Sequence, residues 1–476
     1  MRSENGSETM KNFKISERNT GFYAAGLSFL AAWGFFQFAY PYHLMRREQL
    51  NLFMYDWEYI RGTYKGMGWL SRLAGDFVDQ FLYFPVIGPV LIALILTALA
   101  AVTYGICRHW LKKWPSMGIA ALVFVWSFMR ETENLFLTQY SIATLTYLSL
   151  ILAALSFRRI WAKSLAAVCF VAFGVFAAGK PFDNDYGRLW GTPNFLNEKI
   201  IGMDVFNSRY NWDKVLKLAE DNLYVNSASY NYNLASAMKE TMGDDHFKRP
   251  QNYANSLFLW IGNGSSQFSD GEAGEVWFHL GNMTMAEQSA IVALQRSPKH
   301  TGTRFLKRMA EITLISGEDE AAQKYLNMLS RTLAFRKWAK DMTPGSQSEE
   351  ARKWLKEARS RLVREDSVYW STLEFRDVLR RLLAANPDNM TARQYLLVYD
   401  LMMLDLESFI SDYKEKMIPG DIYEQAALIW LSMNRNEDEA EKYGVSRQTV
   451  QKMQSFFRYP DKYPDTYWYY YMNETS

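Results

Sequence analysis

The stretch that decides the fold is QFLYFPVIGPVLIALILTALAAVTYGIC, residues 80–107, which contains no charged side chain. A helix needs about 20 mostly apolar residues to cross a bilayer, so this run is long enough to span one. Four further uncharged runs lie at 21–45, 114–129, 134–157 and 164–179, and nothing comparable follows. We therefore predict about five transmembrane helices within a membrane domain of residues 21–180, at about 21–41, 81–107, 114–129, 134–157 and 164–179. The third and fifth are short, and they depend on neighbouring helices or flanking aromatic residues to span.

Composition excludes several classes of function. The formal net charge of +2 gives no basic field that would attract nucleic acid. The only cysteines, Cys107 and Cys169, lie inside predicted spans, and the five histidines lack ligand spacing. We therefore predict no disulfide framework, no metal site and no cofactor. The run 21–45 is too long for the apolar core of a cleaved signal peptide, so we interpret it as a retained signal-anchor.

The distribution of basic residues predicts the orientation. The short segments 108–113 and 158–163 are basic and contain no acid, and the tail of residues 1–20 adds further cations. Cytoplasmic loops carry such an excess of Lys and Arg, and five spans place all three segments on one side. We therefore predict a cytoplasmic tail, with the loop 42–79 and everything after Lys180 outside. The cysteine-free exported part indicates a bacterial inner membrane and a periplasmic C-terminal domain.

The outer loop 42–79 carries two amphipathic patterns. One consists of Leu50, Phe53, Trp57 and Ile60, and the other runs from Trp69 to Phe77 with apolar residues at helical spacing. Both patterns predict short helices that lie on the outer face of the bilayer.

Two acids on this loop, Asp56 and Glu58, are the only catalytic candidates. Membrane glycosyltransferases with lipid-linked sugar donors use an acid of their first outer loop as a general base, which deprotonates the acceptor. The simpler interpretation is that interfacial helices carry charges on their wet face. Residues 130–133, RETE, form a tight outer turn that places charges beside this loop or simply caps a hairpin.

The rest of the chain is predicted to be soluble and helical. Residues 181–211, rich in Pro, Gly, Asn and aromatic residues, predict an irregular connector that leads away from the membrane. Residues 212–458 predict a tetratricopeptide-like array of paired helices, although the full signature is absent and the period near 34 is not strict. Such arrays bind peptides or proteins on a concave surface, or serve only as a structural cap. The predicted helices lie at 212–220, 227–242, 285–295, 303–316, 318–333, 349–364, 373–385, 391–404, 406–416 and 423–434.

Two segments of this part have no such periodicity. Residues 251–281, polar and rich in glycine, predict a loop between helices. The aromatic tail, residues 459–476, either caps the last repeat or docks on the membrane surface, and we favour capping.

Three phrases carry a family resemblance: REQLNLF at 47–53, GDF at 75–77 with QFLYFP at 80–85, and TYWYYY at 466–471. They resemble an uncharacterised family of multipass inner-membrane proteins of Bacteroidota-type bacteria, classed as a domain of unknown function. The resemblance implies a multipass membrane protein with a helical C-terminal part, and it implies no catalytic residues.

The sequence as a whole predicts an all-α membrane protein without enzymatic activity. Its periplasmic helical-repeat domain is predicted to bind or scaffold envelope proteins or peptides, with the lipid bilayer as its other partner. The alternative is a glycosyltransferase-like enzyme that uses a lipid-linked sugar donor, with Asp56 or Glu58 as the base.

Overall fold

The computed structural model describes residues 20–221, 225–259, 267–363 and 375–475. Every regular element in these ranges is helical, and they contain no strand, which confirms the all-α class. The chain divides into two compact units. The N-terminal unit consists of residues 20–41 and Thr63–Pro193 in the described part, and the C-terminal unit consists of Tyr42–Gly62 and Asn194–Ser476. Of the predicted cytoplasmic tail, only Thr20 lies within the described residues.

The first part of the chain contains eight helices. In chain order they are α1 (Thr20–Gly34), α2 (Tyr42–Gln49), α3 (Trp57–Thr63), α4 (Trp69–Asp79), α5 (Ile87–Cys107), α6 (Lys113–Glu131), α7 (Thr138–Leu155) and α8 (Ile160–Ala177). A π-helical turn, Phe35–Ala39, prolongs α1.

Four of these helices are long and apolar enough to cross a membrane: α1 with its π-helical turn, α5, α7 and α8. The predicted span at 114–129 falls in α6, which has 19 residues but carries Lys113, Arg130 and Glu131 at its ends. These charged ends make α6 less apolar than the other four.

The N-terminal unit is a helical bundle built around α5 and α7. Helix α5 packs against α1, α6 and α7, while α4 and α8 pack against α7. A Cβ atom on Gly75 would lie 2.6 Å from the backbone nitrogen of Gln139, so α4 approaches α7 almost backbone to backbone. Large apolar side chains point out of the bundle, among them Phe22, Leu122 and Val168.

The predicted connector differs from what the structure contains. Its first half folds back within the N-terminal unit, where Leu137 donates its backbone N–H to the Tyr186 carbonyl at 2.9 Å and Trp126 Nε1 donates to the Leu189 carbonyl at 2.7 Å. Its second half forms α9 (Phe195–Asn207) in the C-terminal unit. Asn194 starts this helix because its side chain accepts the Asn197 N–H at 3.0 Å.

In its described residues, the C-terminal unit continues with fifteen further α-helices. They are α10 (Trp212–Leu218), α11 (Asn226–Met238), α12 (Met242–Asp245), α13 (Gln267–His279), α14 (Met283–Arg296), α15 (Thr303–Ser316), α16 (Asp319–Leu329), α17 (Arg336–Asp341), α18 (Glu349–Ser360), α19 (Phe375–Ala385), α20 (Met390–Met402), α21 (Leu406–Glu415), α22 (Asp421–Met433), α23 (Arg447–Arg458) and α24 (Tyr467–Thr475). All ten helices predicted between residues 212 and 434 overlap an observed one, with residues 364 and 373–374 lying outside the described ranges.

Consecutive helices of this unit pack on one another. The order α13, α14, α15, α16 forms one series of neighbours and α19, α20, α21, α22 another. Helix α11 also contacts α20, and α12 contacts α22, so the early helices close onto the later ones.

Part of the predicted outer loop belongs to this unit. Residues Tyr42–Gly62 are grouped with the C-terminal unit, whereas 63–79 stay with the N-terminal one. The helix predicted from Leu50, Phe53, Trp57 and Ile60 is wrong at its start, because residues 51–54 have no helical structure. The backbone groups there bond elsewhere: Asn51 C=O accepts from Thr303 N–H at 3.1 Å, and Tyr55 N–H donates to Arg331 C=O at 2.7 Å. The second predicted helix is confirmed as α4.

The aromatic tail forms α24, which packs against α22. Tyr467 and Trp468 are buried. The Tyr467 N–H donates to Gln425 Oε1 at 2.7 Å, and Trp468 Nε1 donates to the Gln425 carbonyl at 3.1 Å. The tail therefore covers the last helices of the unit, as the capping interpretation expects.

Candidate functional site

The predicted acids Asp56 and Glu58 lie at the start of α3. Asp56 Oδ1 accepts the backbone N–H of Tyr59 at 2.8 Å, and Asp56 Oδ2 pairs with Arg331 at 2.5 Å. Asp56 thus starts a helix and holds the segment to the turn after α16. Glu58 is exposed on α3. The structure does not bring the two carboxylates into either of the cavities that we describe in the C-terminal unit.

The turn RETE lies inside the N-terminal unit instead of on its surface. Arg130 and Glu131 end α6 and are buried. Arg130 donates to the carbonyls of Arg188 and Pro181 at 3.0 and 2.8 Å, and Glu131 accepts from Ser141 at 2.6 Å. These bonds tie the returning chain to the bundle.

The turn does lie beside the predicted loop. Asp79, at the end of α4, accepts a hydrogen bond from Thr138, and Glu131 accepts from Ser141 on the next turn of the same helix, α7. Charges from the turn and from the second part of the loop therefore meet at the start of α7, which is the first of the two arrangements that the sequence left open.

The C-terminal unit contains a second, larger cluster of buried charges, centred on Arg304 of α15. Arg304 donates to both oxygens of Asp204 on α9, at 2.5 and 2.7 Å, and to Glu275 on α13, at 2.9 Å. Arg308, one turn along α15, donates to the other oxygen of Glu275 at 2.5 Å and pairs with Glu311 at 3.1 Å. Such bidentate, charge-assisted bonds offset the cost of burying these charges.

The segment Tyr42–Gly62 contributes to this cluster. Arg46 lies 3.8 Å from Asp204. Burial lowers the pKa of Arg46 to about 9, although Asp204 opposes the shift. Burial, together with Asp204, raises the pKa of Glu272 on α13 to about 8, so this carboxyl is largely protonated at neutral pH. Its oxygens accept from Asn231 and from Ser227, the latter at 3.1 Å.

Sequence reasoning missed this cluster because α13 falls in the predicted loop 251–281. Three acids of α13, Asp270, Glu272 and Glu275, are buried, whereas acids in a polar, glycine-rich stretch normally indicate a solvated loop. One signal was present: Arg304, Arg308 and Glu311 recur at helical spacing on an otherwise apolar face of α15. Buried charges on one helix imply partners of the opposite sign on another.

An open cavity of about 670 Å³ lies between α14, α15 and the end of α18. Its walls combine apolar side chains, such as Ile312 and Ile315, with Glu287, Glu318 and Arg359. Arg359 donates to the Leu314 and Ile315 carbonyls at 2.6 and 3.3 Å, and so satisfies the carboxyl end of α15. Burial and the nearby Glu318 raise the pKa of Glu287. A second, shallower cavity of about 550 Å³ lies between the start of α16 and α18.

The described residues contain no group of three or more His, Cys, Asp or Glu side chains placed to hold a metal ion. His279 is a buried histidine whose ring packs against aromatic side chains. Its ring stands edge-on to the rings of Tyr210 and Trp212, with centroids at 5.6 and 5.1 Å. Burial and the neighbouring cation Arg308 hold the pKa of His279 well below its usual value, so the ring is neutral.

These features define an all-helical protein with membrane-capable helices and a C-terminal unit held together by buried charges. The model of a family of unknown function (DUF6057) matches residues 18–183 and 180–474. The chain therefore belongs to this family, which confirms the resemblance to an uncharacterised family. No curated protein matches the chain, and no solved structure matches it.

Proposed function

We propose that this chain is an integral protein of the bacterial inner membrane whose periplasmic helical unit binds a segment of another envelope protein. The observation that carries the proposal is the open cavity between α14, α15 and the end of α18. Arrays of stacked helices usually bind extended or helical peptides in grooves of this kind. The neighbour-on-neighbour packing of α13 to α16 and of α19 to α22 supports the tetratricopeptide-like description.

The number of spans follows from a parity argument. Residues Tyr42–Gly62 and Asn194–Ser476 belong to one compact unit, so both must lie on the same side of a membrane. An even number of crossings must then separate them. The apolar helices α5, α7 and α8 supply three, and α6 supplies the fourth, since its 19 residues extend over about 28 Å. With α1, the protein has five spans.

The orientation rests on which groups share one end of the bundle. Lys113, at the start of α6, donates to the Thr20 hydroxyl at 3.0 Å, so the start of α1 and the basic segment 108–113 lie together. Trp110, Trp114 and Trp161 are exposed beside the basic loops, as expected for a membrane interface. The positive-inside rule assigns this end to the cytoplasm, and the C-terminal unit then lies in the periplasm.

The cavity favours a partner segment that carries a basic side chain. Burial and the negative charge of the nearby Glu318 both raise the pKa of Glu287, so the two carboxylates repel each other in the cavity. A cation entering between them would relieve this repulsion. The apolar walls at Ile312 and Ile315 would receive the neighbouring side chains of the partner.

The transferase alternative stays a prediction, and no observation favours it. Asp56 is used as a helix-starting residue and in an ion pair, and Glu58 is exposed.

Site-specific photocrosslinking in cells tests the proposed function. A crosslinking residue at Thr284, which is exposed at the cavity, should capture a partner that the same residue at exposed Gln454 on α23 does not. Capture from Thr284 should be lost in a Glu287→Arg/Glu318→Arg variant. Equal capture from both positions, or capture that survives the charge reversal, would contradict the proposal.

A further inference from the structure

The C-terminal unit is assembled from two pieces of chain that the N-terminal helices separate. The short piece, Tyr42–Gly62, follows α1 directly, and the long piece begins at Asn194, after α8. The short piece is held as a bound peptide would be, first by helix α2 and then by the non-helical stretch 51–54 and the residues that follow it.

The helical half of the short piece docks on α9. The backbone N–H groups of Tyr42 and His43 donate to the carboxylate of Glu198, which is itself buried. Met45 packs against Ile201 and Val205. A Cβ atom on Gly202 would lie 2.7 Å from the Tyr42 ring, so only glycine allows the ring to lie this close.

The stretch between α2 and α3 docks on the start of α15 and on the turn after α16. Thr303 bonds to the segment through its N–H, which donates to Asn51 C=O at 3.1 Å, and through its hydroxyl, which lies 2.9 Å from Glu48 Oε1 and 3.2 Å from Glu48 C=O. Arg331 holds the end of the segment through its carbonyl and its guanidinium. Backbone bonds of this kind are those that proteins use to bind extended peptides.

Without the short piece, buried polar groups of the long piece would lose hydrogen-bond and ion-pair partners. Glu198 would lose the two N–H groups, and the Asp204 pair with Arg304 would lose the nearby Arg46. A buried charge that loses its partners is strongly destabilising. The long piece therefore presents a site that is complete only when the segment fills it.

We propose that Tyr42–Gly62 is an intramolecular peptide ligand, and that the C-terminal unit becomes stable only when membrane insertion has delivered both pieces to the same side. Folding of the large unit then depends on the crossing of every helix from α5 to α8. This inference rests on the five-span topology proposed above, and it is independent of partner binding at the cavity.

Point variants of the full-length protein in membranes test the inference. Met45→Ala should lower the temperature at which the C-terminal unit becomes sensitive to protease by about 5 °C or more, since a buried side chain of the ligand is lost. The matched control, Trp57→Ala, removes a side chain of the same segment that is 70% exposed, and should leave that temperature unchanged. Equal effects of the two variants, or no effect of Met45→Ala, would overturn the proposal.

A replacement experiment tests the ligand-like behaviour directly. In the full-length chain, residues 42–62 are replaced by a Gly/Ser linker of equal length. Protease resistance of the C-terminal unit should fall, and an added synthetic peptide of residues 42–62 should restore it, whereas a scrambled peptide should not. A linker variant as resistant as the native chain, or one that the native and scrambled peptides affect equally, would overturn the proposal. Partner capture that survives in the Glu287→Arg/Glu318→Arg variant, with the protease resistance of its C-terminal unit unchanged, would contradict partner binding at the cavity and leave this inference intact.

Discussion

At the scale of single residues, Arg304 lies at the centre of the buried charge cluster of the C-terminal unit. It joins α9, α13 and α15 through three hydrogen bonds to Asp204 and Glu275. An arginine fork satisfies two carboxylates in fixed directions, which a lysine could not do. Removal of Arg304 would deprive the buried carboxylates of Asp204 and Glu275 of this cation.

We predict that Arg304→Met lowers the free energy of unfolding of the C-terminal unit by about 3–5 kcal/mol, because it breaks a buried ion pair. The control is Arg331→Met, which removes an arginine whose ion pair with Asp56 is exposed to solvent and should cost about 1 kcal/mol or less. Chemical denaturation with a probe in the C-terminal unit measures both. Similar losses for the two variants would contradict the assignment of Arg304.

Glu272 gives the unit a pH dependence of defined sign. The folded state raises the pKa of this carboxyl to about 8 from an ordinary value of 4.5, chiefly by burial. The folded state therefore holds the proton more tightly than the unfolded state does. The stabilisation that Glu272 contributes to the folded state is fully present below pH 4.5 and is lost as the pH rises towards 8. Each unit of difference between the folded and unfolded pKa corresponds to about 1.4 kcal/mol.

We predict that Glu272→Gln changes the stability of the unit little at pH 5 and raises it at pH 8.5. The reason is that glutamine keeps an uncharged side chain in the same place at both pH values. Melting temperatures of the native chain and the variant, measured across this pH range, give the comparison. A difference between the two proteins that does not change with pH would contradict the raised pKa.

At the scale of elements, most of the C-terminal helices follow from local pattern. Helix α15 was predicted at its observed bounds, since apolar residues recur at helical spacing between Gly302 and Gly317. Helix α13 could not be predicted, because its buried face carries acids whose partners lie on α11, α14 and α15. The non-helical stretch after α2 has an amphipathic pattern that favours a helix, and its backbone bonds instead to the distant residues Thr303 and Arg331.

The glycine at the end of α13 gives a matched test of element packing. Gly281 and Gly317 have the same positive φ of 84°, yet a Cβ atom on Gly281 would meet the Arg361 carbonyl oxygen at 1.9 Å, whereas one on Gly317 meets nothing within 4 Å. We predict that Gly317→Ala costs about 1 kcal/mol from backbone strain alone. Gly281→Ala should cost clearly more, since α13 and the end of α18 must move apart. Equal melting temperatures for the two variants would contradict this close approach.

At the scale of the whole molecule, hydropathy alone predicted where the chain changes from apolar to polar composition, and the four most apolar helices lie where it expected spans. It could not predict that Tyr42–Gly62 belongs with residues beyond 193, because that grouping depends on contacts such as those of Glu198 and Thr303. The sequence alone could not predict the role of Asp56, since the surroundings of this carboxylate depend on the position of Arg331. The proposed five-span topology would bring both parts of the C-terminal unit to one side of the membrane, and it requires that α6 crosses the bilayer.

The most direct test of this account is the side of the membrane from which single cysteines react with an impermeant maleimide. The background is the full-length protein with Cys107 and Cys169 replaced by serine, and the probes are Trp57→Cys, Trp110→Cys and Gln454→Cys, all at exposed positions. The account predicts that positions 57 and 454 react from one side and that position 110 reacts only from the other. Positions 57 and 454 reacting from opposite sides, or 110 reacting from the same side as 57, would contradict it.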